Sequence, residues 1–231
     1  MSAQVLAIIP ARAGSRSVPG KNKRIVGGIP LWMWSVAAAQ ASELVTQVVV
    51  STDDQDILSG AFTCGTWGVV ASPPLVFLPR PPELATDEAS LDAVLIHVIE
   101  ALEFDGLVVL LQPTVPMRRP GLIDDCVQAM RNPQGLQPGS VITVNELHFV
   151  WEHAFEGFIK QVNPPRVNRQ DIEHKLYHED GSVFVCHSSM LRATGGRIVS
   201  PVLPVVAEKT VDIDIEADLR LADIMLSSQK T

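Results

Sequence analysis

Apolar residues occur along the chain in short runs that alternate with longer segments of mixed polarity. The runs are rich in β-branched residues and carry apolar side chains at consecutive positions, which is typical of strands buried on both faces of a sheet. The pattern predicts strands at residues 5–10, 47–52, 106–113, 140–144 and 181–186. The segments between them predict helices at residues 30–42, 53–65, 90–103, 120–131 and 216–229.

This order of elements predicts an α/β fold, a mostly parallel sheet flanked by helices. We expect a single domain over residues 1–231. Residues 147–180 break the alternation, because they are polar, aromatic and too long for an ordinary connection. A small β-lobe, a lid and a dimerisation arm are the alternatives for this region, and we expect it to protrude from the domain.

Composition excludes several classes of function. The formal net charge is −8 and no basic stripe with interleaved aromatic residues occurs, so we expect no nucleic-acid partner. The apolar runs are far shorter than the roughly 20 residues that cross a bilayer, and we expect a cytoplasmic protein without membrane contact. Cys64, Cys126 and Cys186 are widely spaced, which favours buried thiols over a disulfide framework or a zinc site.

The loop after the first predicted strand concentrates positive charge in this acidic protein. Five of the fourteen residues from Ala11 to Arg24 are basic and none is acidic. Because neighbouring cations repel one another, this pattern predicts a bound anion, with a solvated basic loop as the alternative. Gly14 and Gly20 would let main-chain N–H groups approach a polyphosphate. The spacing matches neither a P-loop nor a dinucleotide-binding fingerprint. The five cations are Arg12, Arg16, Lys21, Lys23 and Arg24.

A pair of aspartates near the end of the chain predicts the complementary charge. Asp212 and Asp214 are two residues apart in an extended segment, so their side chains project to the same side. Two carboxylates held together repel each other unless a cation lies between them, and oxygen ligands suit Mg²⁺. We therefore predict a Mg²⁺ site here. Glu216 and Asp218 are interpreted as acidic residues of a first helical turn.

Five sequence blocks together resemble one enzyme family. The segment "IIPARAGSRSVPGKN" (8–22) resembles the N-terminal signature of the cytidylyltransferases that activate acidic nine-carbon and eight-carbon sugars, above all CMP-N-acylneuraminate synthetases. Four further blocks resemble segments of the same family, in the same order along the chain. They are "STDDQDI" (51–57), "LPRPPELATDEAS" (78–90), "LLQPTVPMR" (110–118) and "VDIDIEADL" (211–219).

The resemblance implies a role for each matched residue. Gln112 would contact the sugar acid, Arg166 and Arg169 would bind its carboxylate, and Phe184 stands where the family has a Tyr that faces the substrate. Asp212 and Asp214 would hold Mg²⁺ and, with Arg12 and Lys21, would form the catalytic set. The nucleotide-binding residues would be Ala11, Arg12, Gly14, Ser15, Arg16, Lys21, Asn22, Arg80 and Ser90.

The reaction implied by the resemblance is transfer of CMP from CTP to an acidic α-keto sugar, with release of pyrophosphate, by a homodimer. Asp180 replaces a family Asn, and Phe184 replaces the Tyr, so the identity of the sugar stays open. An N-acylneuraminate or a related nonulosonate is the expected acceptor, with 3-deoxy-octulosonate or a phosphonate as alternatives. A hypothesis of another class is a non-catalytic nucleotide-binding homologue.

Overall fold

A computed structural model describes residues 4–60, 72–154, 158–162, 168–173 and 175–228. Its centre is a seven-stranded sheet in the order β11-β7-β10-β6-β1-β4-β5. These strands are β1 (Val5–Pro10), β4 (Gln47–Thr52), β5 (Leu75–Pro79), β6 (Leu107–Leu110), β7 (Ser140–Leu147), β10 (Leu176–His187) and β11 (Val202–Val206). Two short antiparallel pairs lie outside this sheet, β2 (Ile25–Val26) with β3 (Ile29–Pro30) and β8 (Trp151–His153) with β9 (Ile159–Gln161).

Consecutive apolar residues form the middle of the sheet because both of its faces are covered. Along β1, Val5, Ala7 and Ile9 belong to one hydrophobic cluster, whereas Leu6 and Ile8 belong to another. Helices α1 (Leu31–Gln40) and α4 (Leu122–Arg131) cover the first face, and α3 (Leu91–Ala101) and α5 (Ser188–Thr194) cover the second. The short helix α2 (Gln55–Leu58) follows β4. The predicted α/β class is confirmed.

The direction of the strands makes the sheet mostly parallel. Strand β1 pairs in parallel with β4 and β6, β4 pairs in parallel with β5, and β11 pairs in parallel with β7. Strand β10 alone among the seven is antiparallel to its neighbours β6 and β7. The carboxyl ends of β1, β4, β5 and β6 therefore meet at one edge, where α/β proteins bind ligands.

Two strands of the sheet were missed by the pattern of the sequence. Strand β5 is flanked by prolines, and β11 contains Pro204 in its middle. Both strands lie at the ends of the strand order, so each pairs on one side. An edge strand tolerates a proline, which has no N–H to donate, and the same proline conceals the strand in a sequence pattern.

Several predicted boundaries were wrong. Within the described residues, the predicted helix 53–65 is limited to α2, which ends at Leu58, and residues 61–65 lie outside the described residues. Helix α4 begins at Leu122 after the left-handed Gly121, not at Pro120. The predicted strand 106–113 is shortened to β6, and the strand 181–186 is the second half of the longer β10. Helix α5 was not predicted.

The region 147–180 starts and ends in paired strands. Strand β7 extends to Leu147, which pairs with Leu176 at the start of β10. The hairpin of β8 and β9 lies between these two strands along the chain and carries the exposed Trp151, and Phe158 before β9 is also exposed. Its role as a dimerisation arm stays a prediction.

The final helix, α6 (Glu216–Ser228), packs on a third hydrophobic cluster. This cluster joins Leu219 and Leu226 of α6 to Val18 of the basic loop and to Ile213 of the acidic segment. The packing of α6 therefore brings together two segments that are almost 200 positions apart in sequence. Within the described residues, no helix is long and apolar enough to cross a membrane.

The described cysteines behave as buried hydrophobic side chains, as predicted. Cys126 of α4 and Cys186 of β10 are buried free thiols. Burial raises the pKa of each thiol to about 12, with nearby carboxylates adding to the shift, so neither is a reactive thiolate. Cys64 lies outside the described residues.

Candidate active site

A cavity of about 270 Å³ opens at the edge of the sheet where the parallel strands end. Its walls come from the ends of β1 and β6, from the basic loop and from the segment that follows β5. Among its lining residues are Arg12, Gly14, Ser15, Lys21, Asn22, Arg80, Asp87, Gln112 and Thr114. A cavity of about 430 Å³ adjoins it and shares Arg80 and Thr86. A further cavity, of about 610 Å³, is lined by α1, the start of α4 and α6, and none of the predicted site residues is among its lining residues.

Hydrogen bonds across the basic loop hold its main chain in place. The N–H of Ala11 donates to the carbonyl of Ser51 at 2.9 Å, and that of Ala13 donates to the Asp53 carboxylate at 2.8 Å. The Asn22 amide donates to the carbonyl of Arg12 at 2.8 Å and so closes the loop. Gly20 adopts a φ of 63°, a left-handed conformation that favours glycine. The loop is thus ordered by protein contacts.

Four of the five cations of the basic loop are paired with carboxylates from distant segments. The fifth, Lys21, contacts the acidic segment around Ile213. Their mutual repulsion is therefore compensated within the protein and does not by itself require a bound anion. Folding supplies acidic residues that the local sequence lacks, because the ends of several strands meet at this edge. The pairs are Arg12 with Asp87 at 2.5 Å, Arg16 with Asp87 and Glu88, Lys23 with Asp56 at 2.7 Å and Asp54 at 3.0 Å, and Arg24 with Glu216 at 2.7 Å.

Asp87 is a central residue of this network that sequence reasoning did not select. One carboxylate oxygen accepts a hydrogen bond from Arg12, and the other accepts one from Arg16. These two hydrogen bonds hold the pKa of the Asp87 carboxyl group below its usual value. Asp87 lies within the block 78–90, and the resemblance of this block to the family could have indicated that Asp87 is a site residue.

Lys21 connects the basic loop to the acidic segment. Its side chain is largely buried, with 8% of the residue exposed, and its ammonium group donates to the main-chain carbonyl of Ile213. The same nitrogen lies 4.0 Å from a carboxylate oxygen of Asp214. The two segments predicted to carry opposite charges thus meet at one residue.

Asp212 and Asp214 are both exposed, whereas Ile213 between them is fully buried. This alternation is the one predicted for an extended segment, and a hydrogen bond of 2.8 Å from Ile213 N–H to the Thr114 carbonyl fixes it beside the cavity. Partial desolvation raises the pKa of the Asp212 carboxyl group, a hydrogen bond with Thr114 opposes the rise, and the charge of Asp214 adds to it.

The donor set of this acidic pair fits Mg²⁺. Mg²⁺ typically takes one or two carboxylates and completes its coordination with substrate phosphates and water. The described residues contain no group of three or more metal-binding side chains, so a closed protein cage is not present there. Asp218 has another role, since its carboxylate accepts hydrogen bonds of 3.0 Å from the N–H groups of Asp214 and Ile215 at the start of α6.

Gln112 lies at the end of β6 and lines the cavity. Its side-chain amide faces the carbonyl of Gly181 at 3.4 Å, and its own main-chain carbonyl accepts a hydrogen bond of 2.7 Å from Arg118. Arg118 also donates to Ser182 and Ser35, at 2.9 Å and 3.0 Å. Burial lowers the pKa of the Arg118 guanidinium to about 9, which the charge of Asp180 opposes. Arg118 was not predicted, and it fixes the main chain of Gln112.

Phe184 does not line the cavity, contrary to the expectation that it contacts the substrate. Its ring is buried with Leu110 and Ile142 in the cluster on the α3 face of the sheet, and Arg197 lies 4.8 Å from the ring centre. Its neighbours Val183 and Val185 point to the opposite face, as strand geometry requires. Phe184 is therefore a core residue.

Two predicted nucleotide-binding residues have structural contacts of their own. Arg80 is buried, and its guanidinium donates to the carbonyl and hydroxyl of Ser51 at 2.7 Å and 3.3 Å. Desolvation lowers the pKa of Arg80 to about 10. Ser90 is the N-cap of α3 and accepts a hydrogen bond of 3.1 Å from Ala93 N–H. Arg80 also lines the cavity, whereas Ser90 stabilises the helix beside it, and the nucleotide-binding roles of both stay predictions.

The two arginines predicted to bind the carboxylate of the sugar are described only in part. Arg166 lies among the residues that the structure does not describe. The main chain of Arg169 begins a short 3-10 helix, Arg169–Asp171. Both assignments stay predictions.

Comparison with known proteins gives consistent matches. A family model described as "Cytidylyltransferase" matches residues 6–149. The CMP-N,N'-diacetyllegionaminic acid synthase of Legionella pneumophila is 28% identical over 96% of this chain and 96% of its own length. The N-acylneuraminate cytidylyltransferase of Escherichia coli is also 28% identical over 96% of this chain, which spans about half (52%) of that relative.

Solved structures support the fold. The structure of a CMP:2-keto-3-deoxy-manno-octonic acid synthetase complexed with CTP superimposes with a TM-score of 0.72. It covers 98% of this chain and 100% of the other, at 18% sequence identity. A 4-diphosphocytidyl-2C-methyl-D-erythritol synthase from Anaerococcus prevotii has a TM-score of 0.67, with 97% of this chain and 96% of the other covered at 13% identity.

Proposed function

The chain belongs to the cytidylyltransferase family, and from this premise we propose that it transfers CMP from CTP to an acidic α-keto sugar and releases pyrophosphate. The expected acceptor is an N-acylneuraminate or a related nonulosonate. The relatives named for legionaminic and N-acylneuraminic acids support this class of acceptor.

One observation carries the proposal. The buried Lys21 contacts the main chain of Ile213 and approaches Asp214, so the basic loop and the acidic pair form opposite sides of one site. A reaction that separates a nucleoside monophosphate from pyrophosphate needs both signs of charge. Cations hold the phosphates, and carboxylates hold the divalent ion that accompanies them.

The basic loop would bind the triphosphate. Arg12, Gly14, Ser15 and Lys21 line the cavity, and they offer charged side chains and main-chain N–H groups as donors. These donors would neutralise the charge that grows on pyrophosphate as the bond between the α-phosphorus and its bridging oxygen breaks. Arg16, which is 74% exposed, would assist from the entrance.

Asp212 and Asp214 are the residues that would hold Mg²⁺. The ion would polarise the α-phosphate and shield its charge from the incoming hydroxyl oxygen. Lys21 positions this segment through the carbonyl of Ile213, and Thr114 fixes it from the other side.

The acceptor would approach from the side of Gln112, whose main chain Arg118 holds in place. A sugar hydroxyl would attack the α-phosphorus in line with the leaving pyrophosphate, and its proton would pass to a nearby Asp of the acidic segment or to water. We include in the proposal that the region 147–180 mediates a homodimer and that Arg166 and Arg169 bind the acceptor carboxylate. Arg suits this task because it forms bidentate pairs with carboxylates.

The test is turnover with a panel of acceptors. The protein is incubated with CTP, Mg²⁺ and, separately, N-acetylneuraminate, diacetyllegionaminate, pseudaminate, 3-deoxy-octulosonate and a phosphonate, while pyrophosphate and CMP-sugar are measured. We expect turnover with one of the first three acids. Turnover with 3-deoxy-octulosonate or the phosphonate alone would overturn the acceptor class, and no turnover with any acid would overturn the reaction.

A further inference from the structure

Asp87 occupies the space between the two arginines that are expected to bind phosphate. One of its oxygens lies 2.5 Å from the Arg12 guanidinium, and the other accepts a hydrogen bond from Nε of Arg16. The side chains of Arg12 and Asp87 are each 29% exposed, and both line the 270 Å³ cavity. The carboxylate thus bridges the two guanidinium groups as a phosphate oxygen pair would.

The shorter of the two described hydrogen bonds of the Arg12 side chain goes to Asp87. The other is a long one, 3.5 Å, to the carbonyl of Ala85, so Asp87 is the principal partner of this guanidinium. The hydrogen bonds from Arg12 and Arg16 lower the pKa of Asp87, so this carboxylate is charged at neutral pH. A polyphosphate that entered the cavity would meet a negative charge on its own binding groups.

We propose that Asp87 is an internal anion, which the phosphates of the nucleotide displace from Arg12 and Arg16. In the free protein, Asp87 compensates the two cations and holds the loop. In the complex, Asp87 no longer contacts Arg12 and Arg16. Competition from its carboxylate therefore determines how tightly the site binds polyphosphate. The inference rests on the proposed function as far as the ligand is a nucleotide.

The local structure allows the exchange. Asp87 lies between a short 3-10 turn, Pro82–Leu84, and the start of α3 at Leu91, so it belongs to no helix or strand. Of the described hydrogen bonds, those of its side chain go to Arg12 and Arg16, and a change of its rotamer breaks no ladder of the sheet. The Ser90 cap keeps α3 in place while the preceding residues move.

The experiment compares Asp87→Asn with the wild-type protein in calorimetric titrations with CTP, in EDTA and in Mg²⁺. Removal of one negative charge beside a polyphosphate should tighten binding by about tenfold at moderate ionic strength, because each phosphate charge then meets less repulsion. Glu88→Gln is the matched control. It removes the same charge one residue away, but Glu88 is 79% exposed and contacts Arg16 at 3.4 Å, so we expect less than about a twofold change.

The outcomes separate this inference from the proposed function. Tighter binding of CTP by Asp87→Asn in both buffers supports displacement. Unchanged or weaker binding overturns it, and weakening in Mg²⁺ alone would assign Asp87 to the metal. Inorganic pyrophosphate is the second probe. If neither protein binds CTP while Asp87→Asn binds pyrophosphate more tightly, the nucleotide assignment fails and the internal anion stands. A melting curve with one cooperative transition verifies that the variant is folded.

Discussion

The two sides of the site carry opposite charges, and the protein compensates them to different degrees. In the basic loop, Arg12, Arg16 and Arg24 have carboxylate partners within the chain. In the acidic segment, Asp214 is 79% exposed and has Lys21 at 4.0 Å, while Asp212 and Asp214 repel each other. An anionic ligand must therefore displace carboxylates from the arginines of the basic loop. A cation, in contrast, would neutralise carboxylates that the protein itself compensates only in part.

This difference explains why the two patterns in the sequence deserve different weight. Charge repulsion within a cluster indicates a ligand only if folding supplies no counter-charge. The basic cluster does not meet that condition, because acidic residues from α2, from the segment after β5 and from α6 lie beside it. The acidic pair satisfies it better, because its carboxylates face outward around the buried Ile213.

The largest expected effect is on the acidic side. Asp214→Asn should lower kcat by about a thousandfold, the order expected when a group that stabilises charge in the transition state is removed, with the fold retained. Pyrophosphate release at saturating CTP measures the loss. Glu208→Gln is the control, since it removes the same charge at an exposed position outside the 270 Å³ cavity and should keep full activity. An Asp214→Asn protein that retains wild-type kcat would remove the metal role.

The next largest effect is expected on CTP binding by the basic loop, where it should differ between Arg12 and Arg16. Arg12→Ala should weaken CTP binding by about 10- to 100-fold, because this guanidinium is partly buried and lines the cavity. Arg16→Ala should weaken it by less than about fivefold, because Arg16 is 74% exposed and its charge is screened. Titration with CTP gives both values. The grading is contradicted if Arg16→Ala has the larger effect.

A smaller effect is expected on thermal stability in the absence of ligands, where it shows how far each side of the site is compensated in charge. Asp212→Asn should raise the melting temperature by about 1 to 3 °C, since it relieves repulsion with Asp214. Glu216→Gln should lower it by a similar amount, because Arg24 then loses its carboxylate partner. Thermal unfolding in EDTA measures both shifts. Two shifts of the same sign would show that the two sides are compensated alike.

The smallest effect is a dependence on pH. The pKa of Asp87 is lowered from 3.8 by its arginine partners, so its pairing stabilises the folded protein at pH values above 3.8. That contribution is lost as the pH falls through the lowered pKa. The difference in melting temperature between wild type and Asp87→Asn should therefore be constant from pH 8 to about 5 and should shrink below about pH 4. A difference that changes near neutral pH would contradict the assignment.

The fold could be predicted as far as its core strands. Continuous apolar runs identified β1, β4, β6 and parts of β7 and β10, because a strand covered on both faces needs apolar residues at every position. The edge strands β5 and β11 escaped, because they satisfy weaker constraints and tolerate proline. Helix α5 is seven residues long, too short for its periodicity to stand out.

The sequence indicated which residues line the site better than it indicated the contacts that those residues make. Arg12, Lys21 and Gln112 line one cavity, and their roles toward nucleotide and sugar stay predictions. Phe184 does not line it, because the alternation of β10 directs it to the opposite face of the sheet. Asp87 and Arg118 were missed, since their importance lies in partners that are 71 to 75 and 64 to 83 positions away in sequence.

The sequence by itself determined the class of fold, the order of the core strands along the chain and the residues that can carry charge chemistry, because these depend on local patterns of polarity and on short motifs. The tertiary structure decided how those charges are paired. Lys21 meets Ile213 across 192 positions, and the third hydrophobic cluster, with Val18 and Leu219, holds their segments together. Charge compensation depends on distances in space, and those distances exist only once the helices and strands are packed.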